Sequence, residues 1–221
     1  GTQYTPEKGW DENKLDMFRR HIIQLGNSGV YVIYDELEGK EAVTWSYLLH
    51  TVELPMEMKE LPNEVQVTGK NKAGGVSVAH LFSSAKTEQA IADTFFCAPT
   101  NWKNVTNAQG KALKYPNHWH FSSTTVPCKV ARFLTVMDTH GNNRPDMKVV
   151  RNGNTVQVGD WVINCNLAEK GKAAITVTNK SEKVSLNYDA GKKEGATIVT
   201  DQIKGKQISK VLTDYLPDFE I

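Results

Sequence analysis

Short runs of alternating apolar and polar residues, separated by turn residues, extend along most of the chain. A period of two is typical of β-strands, because successive side chains of a strand point to opposite faces. Gly- and Asn-containing turns such as GNSG, RNGN and GKKEG separate the runs at short, fairly regular spacing. Many short strands with such turns indicate an antiparallel sandwich. The pattern therefore predicts an all-β fold, an antiparallel β-sandwich with little helix.

The stretch VYVIYDELEGKEAVTWSYLLH, residues 30–50, departs from this simple alternation. It predicts a hairpin of two strands joined by an acidic, Gly-containing turn at 35–40, which places the neighbours Asp35 and Glu36 in the turn. Both strands carry apolar residues on both faces, although one face of an antiparallel hairpin is normally left to water. We therefore expect a further protein layer to cover the second face.

Two other segments bear on the organisation of the chain. Residues 83–96 are compatible with a short helix and equally with a loop that leads into a strand, and residues 100–117 form a long polar stretch of the kind that is often functional. We predict a polar lead-in over 1–16 and a single β-sandwich domain over 17–221. A division near 139–147 is the alternative.

Composition restricts the classes of function. The formal net charge is +1, so the chain lacks the strong positive field of many nucleic-acid-binding proteins. No apolar stretch approaches the roughly 20 residues of a membrane-spanning helix. We expect neither a nucleic-acid partner nor a membrane span. The chain begins with Gly1 rather than Met, which we interpret as a remnant of recombinant expression, with native sequence continuing upstream.

The segment NHWHF holds the one histidine pair whose spacing suits a shared ligand. On a strand, His118 and His120 lie on one face and Trp119 on the other. Two such histidines can bind one metal ion, but a third protein ligand is needed, and His50 or His80 would supply it only through the tertiary fold. The alternative is structural, with Trp119 in the core and both histidines on the outer face. We favour the structural interpretation and assign no metal ligand.

Exposed aromatic rings are the usual platforms for sugars, because a flat ring stacks on the apolar face of a pyranose. Trp10 and Trp102 lie in polar, loop-like surroundings and are the candidates, together with His118 and His120, for contacts with carbohydrate. The other three tryptophans lie in strand patterns and are expected in the core. The three cysteines form no CxxC pair, and we expect buried free thiols.

Residues 30–56 resemble the C-terminal β-sandwich of heparinase II/III-like polysaccharide lyases. In that family a strand that ends in Val-Asp precedes a turn and a strand that begins with Trp and ends in Leu-His. Tyr34-Asp35 and TWSYLLH occupy these positions here. The order of the later segments is also similar: a Val-rich pair of strands, then HWHF, then ARFLTVM, then TDYLP near the end. The resemblance covers roughly residues 17–217.

The resemblance implies a larger bacterial enzyme, exported to the periplasm or secreted. In this family a helical toroid precedes the sandwich, and acidic, uronic-acid-containing polysaccharides such as glycosaminoglycans are degraded by β-elimination. The catalytic residues and a divalent metal site belong to upstream segments that have no counterpart here, so we assign no catalytic residue and no cofactor to this chain. It would be inactive alone, supporting the toroid and walling the substrate cleft. The alternatives are a free-standing carbohydrate-binding sandwich and a small metalloenzyme built on His118 and His120.

Overall fold

The computed structural model describes residues 4–5, 9–10, 15–52, 54–93, 106–111, 118–192, 197–203 and 206–212, without the side chains of the first two ranges, of Val52 and of the last two ranges. Within these residues the regular structure consists of strands, the strand pairs are antiparallel, and no helix is long and apolar enough to cross a membrane. The predicted all-β fold is confirmed. The chain divides into two compact units, Gly1–Asp146 and Met147–Ile221.

The first unit contains two larger sheets and one short strand pair. Its strands are β1 Tyr4–Thr5, β2 Gly9–Trp10, β3 Leu15–Gln24, β4 Val30–Val43, β5 Ser46–Val52, β6 Glu57–Leu61, β7 Glu64–Lys70, β8 Val76–Ser83, β9 Thr87–Ala92, β10 His118–Thr125 and β11 Cys128–His140. A six-stranded sheet has the order β3-β4-β11-β8-β7-β6, and a three-stranded sheet has the order β5-β10-β9. In the described chain, β3 and β6 are therefore the two edges of the six-stranded sheet.

The two sheets share one hydrophobic core, which makes the first unit a sandwich. The buried residues of this core come from both sheets and the adjoining connections: Leu37, Trp45, Tyr47, Met56, Val67, Leu81, Phe121, Ala131 and Phe133. The rings of Tyr47 on β5 and Phe133 on β11 lie 5.7 Å apart between centroids. The expectation that Trp45 belongs to the core is confirmed, and Trp119 packs against the same cluster.

The hairpin predicted over residues 30–50 is wrong. β4 continues without a turn from Val30 to Val43 and pairs with β3 on one side and β11 on the other, whereas β5 pairs with β10 in the facing sheet. β4 is a central strand with both faces buried: Tyr34 lies on one face and Leu37 on the other. The chain itself covers both faces here, so the expected cover from outside the chain is not needed at this strand.

Two further expectations have clear outcomes. Of the alternatives for residues 83–96, the structure contains the strand, β9, at Thr87–Ala92. Its residues pair with β10, and this pairing provides the backbone hydrogen bonds that a helix would have made internally. Cys165 is buried and Cys128 is partly buried, both as free thiols, and Cys97 lies outside the described residues.

The second unit is a seven-stranded sheet in which each strand pairs with the next along the chain. Its strands are β12 Val149–Asn152, β13 Thr155–Val158, β14 Trp161–Cys165, β15 Ala174–Asn179, β16 Val184–Asp189, β17 Thr197–Ile203 and β18 Lys206–Leu212. The first turn follows from RNGN, where Gly153 has a φ of 60° that glycine adopts without strain. The boundary before Met147 falls in the stretch named as an alternative division. Two compact units can still form one domain, so the single domain over 17–221 stays a prediction.

Candidate functional site

A buried carboxylate on β4 holds an arginine of the edge strand β3. Arg20 and Asp35 are cross-strand partners and therefore lie on the same face of the six-stranded sheet. Arg20 donates from Nε to Asp35 Oδ1 and from Nη2 to Asp35 Oδ2, both over 2.7 Å. Asp35 is only 2% exposed, whereas the Arg20 side chain is 39% exposed. The turn position predicted for Asp35 is wrong, because a bidentate arginine compensates its charge inside the sheet.

The guanidinium is also fixed by an aromatic ring. Arg20 Cζ lies 5.3 Å from the centroid of the Tyr47 ring, close enough for a cation–π contact. The hydrogen bond with Asp35 raises the pKa of Arg20, so this side chain stays charged at any physiological pH. Burial raises the pKa of Tyr47, so its phenol stays protonated and is unsuited to act as a base near neutral pH.

Part of the Arg20 guanidinium remains available at the surface. A guanidinium carries five N–H donors, and within the described residues Arg20 uses one on Nε and one on Nη2. Both donors on Nη1 and the second donor on Nη2 have no hydrogen-bond acceptor in that part of the chain. The ion pair therefore orients a cation at the surface and leaves one of its edges open.

Two large apolar side chains flank Arg20 on the same face of β3. Phe18 and Ile22, two residues to either side, are 61% and 67% exposed. Among the described residues they are the most exposed large hydrophobic side chains. We refer to Phe18, Arg20 and Ile22 as the β3 strip. Because exposed apolar side chains that cluster together often mark interaction sites, this apolar pair around an oriented arginine indicates a surface for binding.

The opposite face of the same strands carries a closed polar network. Glu36 Oε1 lies 2.9 Å from His21 Nε2, within hydrogen-bond distance, and Arg19 Nη1 lies 3.7 Å from the same carboxylate oxygen. Glu36 and its cross-strand partner Arg132 are both buried. This network was also missed by the turn prediction, but its groups contact one another around the buried Glu36, so we interpret it as structural.

Three histidines meet on the three-stranded sheet. His50 on β5 is the cross-strand partner of His120 on β10, their ring centroids lie 6.0 Å apart, and His118 is two residues from His120 on the same face. His120 is buried. Burial lowers the pKa of His50, and the positive charges of His120 and then His118 lower it further. The neutral imidazole of His50 is therefore favoured.

No metal site forms from these histidines in the described part of the chain. Among those residues, no group of three or more His, Cys, Asp and Glu side chains is arranged to hold a metal ion. The metalloenzyme alternative built on His118 and His120 therefore gains no third ligand there. His50 does lie beside His120, as only the tertiary fold could determine, but the three histidines are not arranged to hold a metal ion.

Of the four residues predicted for carbohydrate contact, the structure describes the side chains of His118 and His120 alone. His118 and His120 lie in the histidine group, Trp10 ends β2 without a described side chain, and Trp102 lies outside the described residues. The sequence pattern did not indicate Arg20 or Phe18, and it placed Asp35 in a turn. The feature that could have indicated them is an acidic residue, Asp35, inside an otherwise apolar strand pattern. If the strand continues through it, the buried carboxylate needs a cationic partner.

Neither a comparison with models of known protein families nor a comparison with curated proteins finds a match to this chain. What the chain does must therefore be inferred from its own residues.

Proposed function

We propose that this chain is the C-terminal β-sandwich of a heparinase II/III-like polysaccharide lyase that degrades uronic-acid-containing polysaccharides by β-elimination. Its role is to support a helical catalytic toroid and to wall one side of the substrate cleft. The observation that carries the proposal concerns the motif residue Asp35, which holds Arg20 so that a fixed cation faces outward. A cleft wall that carries this fixed guanidinium can bind a polymer whose sugar units have carboxylates.

The two segments that carry the family resemblance also support the proposal by their positions. Tyr34-Asp35 lies on β4, and the segment from Trp45 to His50 leads into and forms most of β5. These strands belong to facing sheets around one core. The similar residues are thus the ones that build the sandwich.

We assign binding, and no chemical step, to the described residues. β-Elimination needs a base that removes the proton at C5 of the uronate, and Tyr47 is unsuited because it is 2% exposed and its pKa is raised by burial. The divalent metal that the resemblance implies for the whole enzyme finds no suitable ligand set among the described residues. A periplasmic or secreted location remains part of the proposal.

The test has two measurements on the purified chain. The first is incubation with heparin, heparan sulfate and alginate, followed by ultraviolet absorbance of unsaturated uronate. We expect no product, and product released by this chain alone would overturn the supporting role. The second is retention on the same polysaccharides when immobilised, with neutral dextran as the control. We expect salt-sensitive retention on the acidic polymers alone, and the absence of any retention would overturn the role as a cleft wall.

A free-standing carbohydrate-binding sandwich is the second candidate. The observation that favours it is the exposed aromatic ring of Phe18 beside Arg20 on one strand face, because this combination binds sugars without help from another domain. The coding sequence upstream of Thr2 separates the two candidates. Several hundred codons with helical-hairpin periodicity would support the lyase, and a start codon immediately upstream would support the free-standing module.

A further inference from the structure

We propose that the β3 strip is the contact surface for a single uronate unit of an acidic polysaccharide, an assignment that rests on the proposed function. The ring of Phe18 packs against the apolar face of the sugar, and the open Nη1 edge of Arg20 donates to the sugar carboxylate. Ile22 extends the apolar surface on the far side of Arg20. The occupant is a uronate-containing chain because the strip combines apolar area with a fixed positive charge.

The spacing of the strip fits this assignment. Side chains two residues apart on a strand lie on the same face, about 7 Å apart along the strand. Phe18 and Arg20 have this relation, and the β-bulge of β3 lies before them, between Leu15 and Met17. A sugar ring that covers Phe18 can thus direct the carboxylate at its rim towards Arg20.

The donor is organised before any ligand arrives. Asp35 fixes the guanidinium through two hydrogen bonds, and the Tyr47 ring lies against it. Binding therefore costs less side-chain entropy than binding to a free surface arginine. The planar fork of the open edge matches a carboxylate in a way that an ammonium group does not.

Stability alone does not account for this arrangement. Replacing a buried ion pair with apolar residues of similar size is often neutral or stabilising, so burying Asp35 brings little to the fold itself. The carboxylate of Asp35 instead fixes the position of the Arg20 guanidinium at the surface. The exposure of Phe18 and Ile22 on either side likewise brings nothing to the core.

The experiment is calorimetric titration of the folded chain with an alginate-derived hexauronate, with the neutral hexasaccharide of cellulose as the ligand control. Phe18→Ala removes an exposed ring and is expected to weaken hexauronate binding about tenfold. Arg20→Ala would leave Asp35 buried without its partner, so the second variant is the double substitution Arg20→Met with Asp35→Leu. It removes the guanidinium without that cost and is expected to weaken binding at least about tenfold. Leu61→Ala, an exposed position on the opposite edge strand β6, is the matched control and should bind like the unaltered chain.

Each outcome decides between the assignments. If the unaltered chain binds none of the acidic polysaccharides, the proposed function fails, and this inference fails with it. If the unaltered chain binds hexauronate and both strip variants bind equally well, the function stands and the inference is overturned. If sedimentation shows a dimer that Phe18→Ala abolishes while hexauronate binding is unchanged, the strip is an interface between two copies, which also overturns the inference.

Discussion

Among the described residues of the first unit, two buried aspartates pair with arginines, and the two arginines differ in how they use their remaining donors. In both pairs the arginine contacts both carboxylate oxygens, and Asp35 and Asp138 are almost completely buried. Arg144 also donates to the backbone oxygens of Pro145 and Ser28, at 3.1 and 3.2 Å. Arg20, in the described part of the chain, bonds to Asp35 alone.

The difference indicates that Arg144 has a structural role, whereas Arg20 is placed at the surface with donors open for binding. Arg144 joins the end of β11 to the loop before β4, and four of its N–H groups have acceptors within the protein. Gly29 beside this loop has a φ of 77°, and its oxygen accepts from Thr139 N at 2.9 Å. Arg20 keeps donors open between two exposed apolar side chains. The number of donors already used, more than the ion pair itself, therefore indicates which arginine can bind a ligand.

The largest effect is expected from Arg144→Ala. This change leaves the charge of Asp138 buried without its main partner and should lower the free energy of unfolding by about 3–5 kcal/mol. Urea unfolding followed by tryptophan fluorescence measures it. The paired substitution Arg144→Met with Asp138→Leu should recover most of the loss. A loss below about 1 kcal/mol would show that Arg144 does not have this structural role.

A smaller loss is expected from Arg20→Ala. Fewer hydrogen bonds disappear than in Arg144→Ala, and water can approach Asp35 from the side that Arg20 leaves, so the free energy of unfolding should fall by about 2 kcal/mol. The same urea titration applies, with Arg20→Met plus Asp35→Leu as the control that removes both charges. Equal losses for Arg20→Ala and Arg144→Ala would contradict the proposed difference between the two pairs.

The pH dependence of stability between pH 5 and pH 8 should include a contribution from His50. Because the pKa of His50 is lowered in the folded chain, the unfolded chain binds a proton more readily. The stability from neutral His50 is complete above the unfolded value of about 6.5 and is lost as pH falls through the lower folded value. Thermal melting between pH 8 and pH 5 should therefore show a smaller drop for His50→Gln than for the unaltered chain. Identical drops would contradict the coupling of His50 to its neighbours.

The smallest effect on stability is expected from Phe18→Ala. Its ring is mostly exposed, so the free energy of unfolding should change by less than about 0.5 kcal/mol. Urea unfolding measures this change, with Phe133→Ala, a truncation in the core, as the reference variant. For Phe133→Ala we expect the free energy of unfolding to fall by about 3–5 kcal/mol. A large loss for Phe18→Ala would mean that the strip is part of the core and is not a binding surface.

The sequence by itself determined the class of the fold and several of its parts. A period of two in the apolar residues predicted strands, and the structure has them throughout its described residues. The RNGN turn and the burial of Trp45 were also predictable. These features depend on local chemistry: side-chain alternation, turn conformations and the hydrophobicity of single residues.

The tertiary structure alone decided the pairing of strands and therefore the candidate site. Alternation shows which residues share a face of a strand, but not which strand lies beside it. In the sequence, an acidic residue such as Asp35 indicates a turn. In the folded chain, strand register places Arg20, 15 residues earlier, beside it. The same holds for His50 and His120, which are 70 residues apart in the chain and direct neighbours across two strands. A buried charge becomes acceptable only through its partner, and that partner is a property of the folded protein.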